Sequence, residues 1–188
     1  LKGYQFVFNY RAIWNGYLVT IFLATVGTAC TMIASLLFAY VLSKTDSMLH
    51  GFFTFTAIFT MYFSGGMVPT YLIVKDVGLL DSVWSLIIPG LISTYNVIIL
   101  RTSLMGIPRE MSESAELDGA NEITTLVRIM IPLIKPTLAA IGLFVVVGYW
   151  NSWTSALLYI RDNEKMPLQM VLRQILVNND ASAAAGSG

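Results

Sequence analysis

The sequence predicts an all-α membrane protein, a polytopic bundle of helices. Apolar residues make up 56% of the chain and charged residues only 12%, whereas about a quarter of the residues in a soluble domain are charged. Long charge-free intervals divide the chain, each of them long enough for the roughly 20 apolar residues that cross a hydrocarbon core. None shows the ten-residue alternation of a barrel strand, so we expect each interval to be a helix.

Four charge-free intervals predict four transmembrane helices. The intervals cover residues 12–43, 47–74, 82–100 and 136–160. The helices are expected near residues 17–42, 52–74, 83–105 and 137–160.

Small residues and glycines inside two of these spans indicate local structure. Small residues in the first span, Gly27 among them, have the spacing of helix contacts, and we expect them to pack. Ser64-Gly65-Gly66 followed by Pro69 in the second span leaves two interpretations open. It is either a broken helix that lines a cavity or the ordinary end of a span at the outer face.

The composition argues against several classes of soluble protein. One cysteine, Cys30, and one histidine, His50, exclude a disulfide framework and argue against a metal site. No lysine follows a glycine, so the chain has no phosphate-binding loop, and neither ATP hydrolysis nor a catalytic residue is expected in it. The net charge is zero and no basic cluster occurs, so nucleic acid is not an expected partner.

The polar segment 106–136, between the third and fourth spans, is expected to form a helix-turn-helix. Pro108 suits the first turn of a helix, and no helix breaker follows it before Asp118. Gly119 stands where a left-handed residue ends a helix. Asn121 can cap a second helix that runs through residues 123–131.

The same segment carries the most specific pattern in the chain. It reads Glu113-Ser114-Ala115, three residues, Gly119, nine residues, then Ile129-x-Ile131-Pro132. This resembles the EAA loop of ABC-importer permeases, whose pattern is Glu-Ala-Ala, three residues, Gly, nine residues, Ile-x-Leu-Pro. Ser114 and Ile131 are mild departures. Similarity to sugar-importer permeases of the maltose and oligosaccharide type covers nearly all of residues 15–180, including Ser64-Gly65-Gly66-x-x-Pro69, Gly78-Leu79-Leu80, Ile88-Pro89, Asp118-Gly119-Ala120 and Trp150-Asn151-x-Trp153.

The resemblance implies a permease subunit of a binding-protein-dependent, ATP-driven importer for a sugar or oligosaccharide, multi-pass in the cytoplasmic (inner) membrane. The implied partners are membrane lipid, a second homologous permease, two ABC ATPase subunits that bind ATP and Mg, and an extracytoplasmic solute-binding protein. No cofactor is expected on this chain itself. The family usually has six spans, so the four here would be the second to the fifth of a longer permease.

That topology assigns each part of the chain to a side of the membrane. Residues 1–16 are an extracytoplasmic segment, 17–160 the permease domain with a cytoplasmic coupling loop at 106–136, and 161–188 a truncated extracytoplasmic loop. The distribution of lysine and arginine does not choose between the two orientations, so this assignment depends on the resemblance.

By resemblance, ATPase coupling falls on the residues that match the loop pattern: Glu113, Ser114, Ala115, Asp118, Gly119, Ile129 and Pro132. The first helix of the loop would enter a groove on the ATPase subunit, where Glu113 would reach a basic residue. From the residues alone, a charged helix-turn-helix between spans can equally be an ordinary cytoplasmic loop. The length of the match favours docking.

Polar and aromatic side chains inside the spans are the candidates for the substrate path, since such groups usually face the interior of a bundle. They are Tyr95, Asn96, Trp150, Asn151 and Trp153, with Ser152 beside them. The tryptophans offer flat apolar faces of the kind that stack on sugar rings. The alternative is that the asparagines form hydrogen bonds between helices and that the tryptophans are packing or interface residues.

Two other functions stay open on the sequence. The chain could serve an ABC importer for a solute other than a sugar, since the loop does not identify the solute. It could also belong to an ion-coupled secondary transporter, which predicts carboxylates at mid-depth in the membrane. No Asp or Glu occurs in the core of any of the four spans, which argues against ion coupling.

Overall fold

The computed structural model describes residues 11–44 and 50–185, with side chains as far as residue 177. Every regular element in these residues is a helix, which confirms the predicted all-α class. Part of the expected extracytoplasmic segment 1–16, namely residues 1–10, lies outside the described residues, as do residues 186–188 of the expected final loop.

Nine helices follow one another along the described part of the chain. They are α1 Arg11–Ser43, α2 His50–Tyr62, α3 Met67–Asp76, α4 Thr94–Met105, α5 Arg109–Leu117, α6 Glu122–Leu133, α7 Lys135–Trp150, α8 Trp153–Tyr159 and α9 Leu168–Ala185. Short 3-10 turns lie at Val83–Leu86, Ile88–Gly90 and Asn163–Lys165, and π-helical turns at Leu23–Gly27 and Leu126–Met130 lie within α1 and α6.

Helix α1 is long and apolar enough to cross a membrane without interruption, as predicted for residues 17–42. The other candidate spans in the described residues are pairs of helical segments joined at a bend: α2 with α3, Val83–Gly90 with α4, and α6 with α7. If each pair counts as one span, the total is the predicted four.

The single helix expected near residues 52–74 is divided in the structure, because α2 ends at Tyr62 and α3 begins at Met67. Gly66 between them has φ +86°, a backbone conformation that residues with a side chain rarely adopt. The helix is interrupted at Ser64-Gly65-Gly66, where α2 and α3 meet at a bend of 112°. This arrangement fits both interpretations, a broken helix and the end of a span.

The predicted helices 83–105 and 137–160 are also interrupted. Pro89 lies in the 3-10 turn Ile88–Gly90, and the α-helix begins only at Thr94. In the other span, Asn151 follows the end of α7, and its side-chain amide donates to the carbonyl of Val147 at 2.9 Å. A side chain that bonds a helix carbonyl offers the backbone an alternative to continued helix, and α8 starts anew at Trp153.

The described residues divide into two compact units, the first formed by residues 11–28, 65–90 and 145–185, and the second by residues 29–44, 50–64 and 91–144. In the first unit, α1 packs on the start of α9. The buried hydroxyl of Thr20 accepts the backbone N–H of Leu168 at 2.9 Å. Gly27 lies against the ring of Tyr149 so closely that a methyl group there would be 2.9 Å from a ring atom, which confirms that Gly27 packs.

In the second unit, α2 packs on α4, and Val97 and Leu100 of α4 are fully buried. Two polar contacts add to this apolar core. The guanidinium of Arg101 donates to the carbonyl of Leu42 at 2.8 Å, near the end of α1 where helix carbonyls lack partners. The hydroxyls of Ser103 and Thr137 are 2.7 Å apart and join α4 to α7.

The segment 161–188 is only partly a loop. Helix α9 occupies Leu168–Ala185, and the buried Pro167 stands immediately before it. The carbonyl of Pro167 accepts the N–H groups of Met170 and Val171, so the proline starts the helix at a position where its missing N–H costs nothing. The sequence-based expectation of a loop to residue 188 overlooked this start signal.

Candidate functional site

Helices α5 and α6 form the helix-turn-helix predicted for the polar segment. Gly119 has φ +80°, as expected for the residue that ends α5. Its N–H donates to the carbonyl of Glu116 at 3.0 Å, and the N–H of Ala120 donates to the carbonyl of Ala115 at 2.9 Å. This pair of bonds is a Schellman cap. Asn121 caps α6 as predicted, since its side chain accepts the N–H of Thr124 at 2.8 Å.

Helix α6 extends further than the sequence suggests. The expected end was residue 131, whereas α6 continues through Pro132 to Leu133. The N–H of Ile131 donates to the carbonyl of Leu126 in the π-helical turn that precedes the proline. Pro132 then occupies the start of the final helical turn, where a missing N–H is tolerated.

We call the helix-turn-helix of α5 and α6 the hairpin. Its two sides differ in exposure. Ala115 is buried and, with Ile129, borders a shallow depression that also includes Ser114 and Asp118. Four of the predicted coupling residues therefore lie together, and the small side chain of Ala115 serves contact within the hairpin.

The apolar side chains that flank the turn are exposed instead. Leu117 is 89% exposed, Ile123 73% and Val127 53%. We call these three residues the hairpin tip. None of the three belongs to the residues that match the loop pattern, because exposed apolar residues do not differ in type from buried ones in the sequence.

Glu113 contributes to a separate cavity of about 310 Å³ within the second unit. The charged side chains that line the cavity are Lys44, Arg109, Glu113, Glu116 and Glu122. The three carboxylates outnumber the two cations. A further cation from outside the chain would therefore find a favourable electrostatic environment there.

One ion pair in this cavity links α1 to the hairpin. The ammonium group of Lys44 pairs with the carboxylate of Glu122, and the hydroxyl of Tyr40 donates to the carbonyl of Glu122 at 3.4 Å. Burial lowers the pKa of Lys44, but the hydrogen bond to Glu122 and the electrostatic effects of Tyr40 and Glu122 together outweigh burial, so the pKa lies above its ordinary value. Nothing in the sequence marks this pair, whose members are 78 residues apart.

The predicted path residues fall into two groups. Tyr95 and Asn96 lie in the first turn of α4, in the second unit, and Tyr95 is exposed. Trp150, Asn151 and Trp153 lie together in the first unit at the break between α7 and α8.

The polar contacts at this break differ from those considered on the sequence. The side chain of Asn151 bonds its own helix through Val147 rather than another helix. The ring of Trp153 carries the guanidinium of Arg173 on its face, with the guanidinium carbon 3.8 Å from the ring centre. Arg173 was missed by sequence reasoning because it lies 20 residues further along, in the segment expected to be a loop.

Comparisons with known proteins show what the chain resembles. No family model matches it. It is 44% identical over 177 residues to the polygalacturonan/rhamnogalacturonan transport system permease protein YtcP of Bacillus subtilis (strain 168), covering 94% of this chain and 62% of the relative. It is also 44% identical over 186 residues to the protein LplC of the same organism, covering 99% of this chain and 63% of the relative. The chain thus spans less than two thirds of the length of these curated relatives.

A solved structure shares the fold. The chain matches a chain in the crystal structure of a bacterial ABC transporter involved in the import of the acidic polysaccharide alginate. The TM-score is 0.91 and the identity 34%, over 97% of this chain and 66% of that chain.

The helical fold and the sequence similarity together define a class, the permease subunits of ABC importers, and confirm the resemblance predicted from the polar loop. Within that class, this chain is similar to proteins named for the transport of carbohydrates, among them YtcP.

Proposed function

We propose that this chain is a permease subunit of an ATP-driven importer that carries a sugar or oligosaccharide across the cytoplasmic membrane. Support comes from YtcP, named for polygalacturonan and rhamnogalacturonan, and from the alginate importer, which shares the fold. Because these proteins are named as transporters or transport permeases, the chain itself is proposed to carry out no catalysis. The ABC relatives also favour ATP-driven over ion-coupled transport.

The proposed assembly contains a second homologous permease, two ATPase subunits that hold ATP and Mg, and an extracytoplasmic solute-binding protein that delivers the sugar. In this proposal, closure of the ATPase dimer on ATP moves the hairpins docked on it. The spans then switch as rigid bodies between inward and outward openings.

The proposed docking of the ATPase is supported by the exposure of the hairpin tip. Leu117 and Ile123 stand almost fully exposed on either side of a turn that two hydrogen bonds hold. Large apolar side chains grouped on a well-ordered projection are typical of a surface that a partner covers. Leu117 and the turn lie outside every candidate span, whereas Ile123 and Val127 belong to the segment Glu122–Leu133 that is counted with α7. The expectation of a soluble partner rather than lipid therefore rests on Leu117.

Electrostatics supports the same partner surface. Glu113 is exposed and lies in a cavity with two further carboxylates, Glu116 and Glu122. A basic side chain of the ATPase would be attracted to this group. Reversing the charge at Glu113 exchanges that attraction for a repulsion, which can cost several kcal/mol in a partly desolvated interface.

The test compares Glu113→Lys with Glu164→Lys, which makes the same change in an exposed residue of the first unit. Both proteins are expected at normal levels in the membrane, because neither residue lies in a candidate span. The Glu113→Lys importer should lose its ATPase on purification and fail to import sugar, whereas the Glu164→Lys importer should retain both. Copurification of the ATPase with Glu113→Lys at wild-type stoichiometry, together with normal uptake, would show that the docking role is wrong.

A further inference from the structure

The stacked pair Trp153 and Arg173 has a geometry that suits an anionic ligand. Trp153 is the first residue of α8, and Arg173 lies on α9, which packs against α8 within the first unit. The guanidinium carbon is 3.8 Å from the centre of the indole ring, a close cation–π contact. The arginine side chain is exposed.

Stacking leaves the binding groups of the arginine available. The five N–H donors of a guanidinium point outward in its own plane, so a ring on its face does not occupy them. No carboxylate among the side chains described, those up to residue 177, lies within ion-pair distance of Arg173. The fork of donors therefore matches the two oxygens of a carboxylate that comes from outside the chain.

The site around the pair is held in place before any ligand arrives. The backbone N–H of Trp153 donates to the carbonyl of Asn151 at 2.9 Å, and the side chain of Asn151 is tied to Val147. Trp150, also exposed, stands three residues before Trp153 and offers a second flat surface. A preorganised site loses less conformational entropy on binding.

We propose that Arg173 and Trp153 form a subsite for a sugar that bears a carboxylate, a uronate residue of an acidic oligosaccharide. The inference rests on the proposed function and names its substrate class. Arg173 binds the carboxylate through paired N–H donors, and the tryptophans contact the faces of sugar rings. A neutral sugar offers no anion to the guanidinium, so the subsite selects acidic sugars over neutral ones.

The experiment uses the complete importer in proteoliposomes, with its partner permease, ATPases and binding protein. Uptake is measured for trigalacturonate and for galactotriose, its neutral counterpart. Arg173→Gln should lower uptake of subsaturating trigalacturonate about tenfold, the loss expected for one charge-assisted pair of hydrogen bonds. Arg173→Lys should retain part of that uptake because it keeps the charge. Arg161→Gln, a change in an exposed arginine of the same unit, should leave uptake unchanged.

Thermal stability and ATPase content of the purified complex distinguish recognition from a structural role. Both should be the same for Arg173→Gln and wild type, and any uptake of galactotriose should also be unchanged. Unaltered trigalacturonate uptake, an equal fall for both sugars, or loss of stability would overturn the inference. If the wild type imports galactotriose alone, the inference fails and the sugar-importer proposal stands. If it imports neither sugar, both fail.

Discussion

The carboxylate of Asp81 accepts the backbone N–H of Asp162 at 2.9 Å, joining the segment after α3 to the segment after α8. The same oxygen accepts the N–H of Arg161 at 3.0 Å, and the N–H of Asp81 donates to the carbonyl of Tyr159 at 2.8 Å. Lys165 adds a bond from its ammonium group to the carbonyl of Asp81 at 3.0 Å. One aspartate thus holds two separate connections of the first unit together.

This arrangement predicts a dependence of stability on pH. The N–H groups of Asp162 and Arg161 lower the pKa of Asp81 by bonding its ionised form, against a smaller effect of desolvation. Because the folded pKa lies below the unfolded one, the contribution is complete above the ordinary value of about 4 and is lost as the pH falls through the folded pKa. Thermal unfolding of the purified protein should therefore show a loss of stability in this acid range that is smaller in Asp81→Asn. Asp76→Asn, an exposed control on α3, should behave as the wild type does. An identical acid profile in the wild type and Asp81→Asn would contradict this role.

The effect of replacing Gly119 should depend on whether the new residue adopts a positive φ and not on the size of its side chain. A methyl group at Gly119 would meet no atom within 4 Å, so the only penalty is the positive φ. That penalty is about 1–2 kcal/mol for an ordinary residue and smaller for asparagine. Gly119→Val should misdirect α6 and reduce ATPase copurification, whereas Gly119→Asn should retain most of it. Equal copurification by the two variants would show that the left-handed turn is not required.

Leu117 should contribute to ATPase binding and not to the stability of the isolated chain. With 89% of its surface exposed, it makes little contact within the chain. We expect Leu117→Ser to leave thermal stability of the isolated subunit unchanged and to weaken ATPase binding about tenfold or more, as for a central interface residue. Val77→Ser, an equivalent change at another exposed apolar residue, should not affect binding. Wild-type binding by Leu117→Ser would remove the hairpin tip from the interface.

The pair Lys44 and Glu122 should contribute only modestly to stability. Both side chains are substantially exposed, and pairs of this kind contribute about 1 kcal/mol or less. Each of Lys44→Glu and Glu122→Lys should therefore lower stability slightly, and the double replacement should recover part of the loss. A double-mutant cycle on thermal unfolding measures this interaction. A coupling of several kcal/mol would show that the pair is far less solvated than its exposure indicates.

The orientation of the chain can be tested with single cysteines in a Cys30→Ser background. If the hairpin faces the cytoplasm, a cysteine at Glu116 should be shielded from impermeant thiol reagents in intact cells. A cysteine at Asp162, in the segment expected outside, should react. Labelling with the reverse pattern would invert the proposed topology.

The hairpin could be predicted from the sequence because its determinants are local. Pro108, Gly119 and Asn121 act within a few residues of their own positions. The structure places Gly119 and Asn121 as expected, and Pro108 immediately precedes the helix instead of lying in its first turn. The interruptions at Pro89 and Asn151 were missed because the spans were defined by absence of charge, which does not report on backbone geometry. The pairs Arg173 with Trp153 and Lys44 with Glu122 depend on how distant segments pack. Neither pair has a spacing that marks it in the sequence.

The short connection between α6 and α7 has a mechanical consequence. Only Ile134 separates these helices, and its N–H donates to the carbonyl of Met130 at 3.1 Å while its own carbonyl accepts the N–H of Leu138 at 3.0 Å. The backbone hydrogen bonds therefore continue across the junction, where the two helices meet at a bend of 83°. At the other end, the capped turn at Gly119 fixes α5 to α6. A displacement imposed on Leu117 would consequently reach the beginning of α7 along a backbone that is hydrogen-bonded at both junctions, so the position of the tip and the direction of that helix are linked.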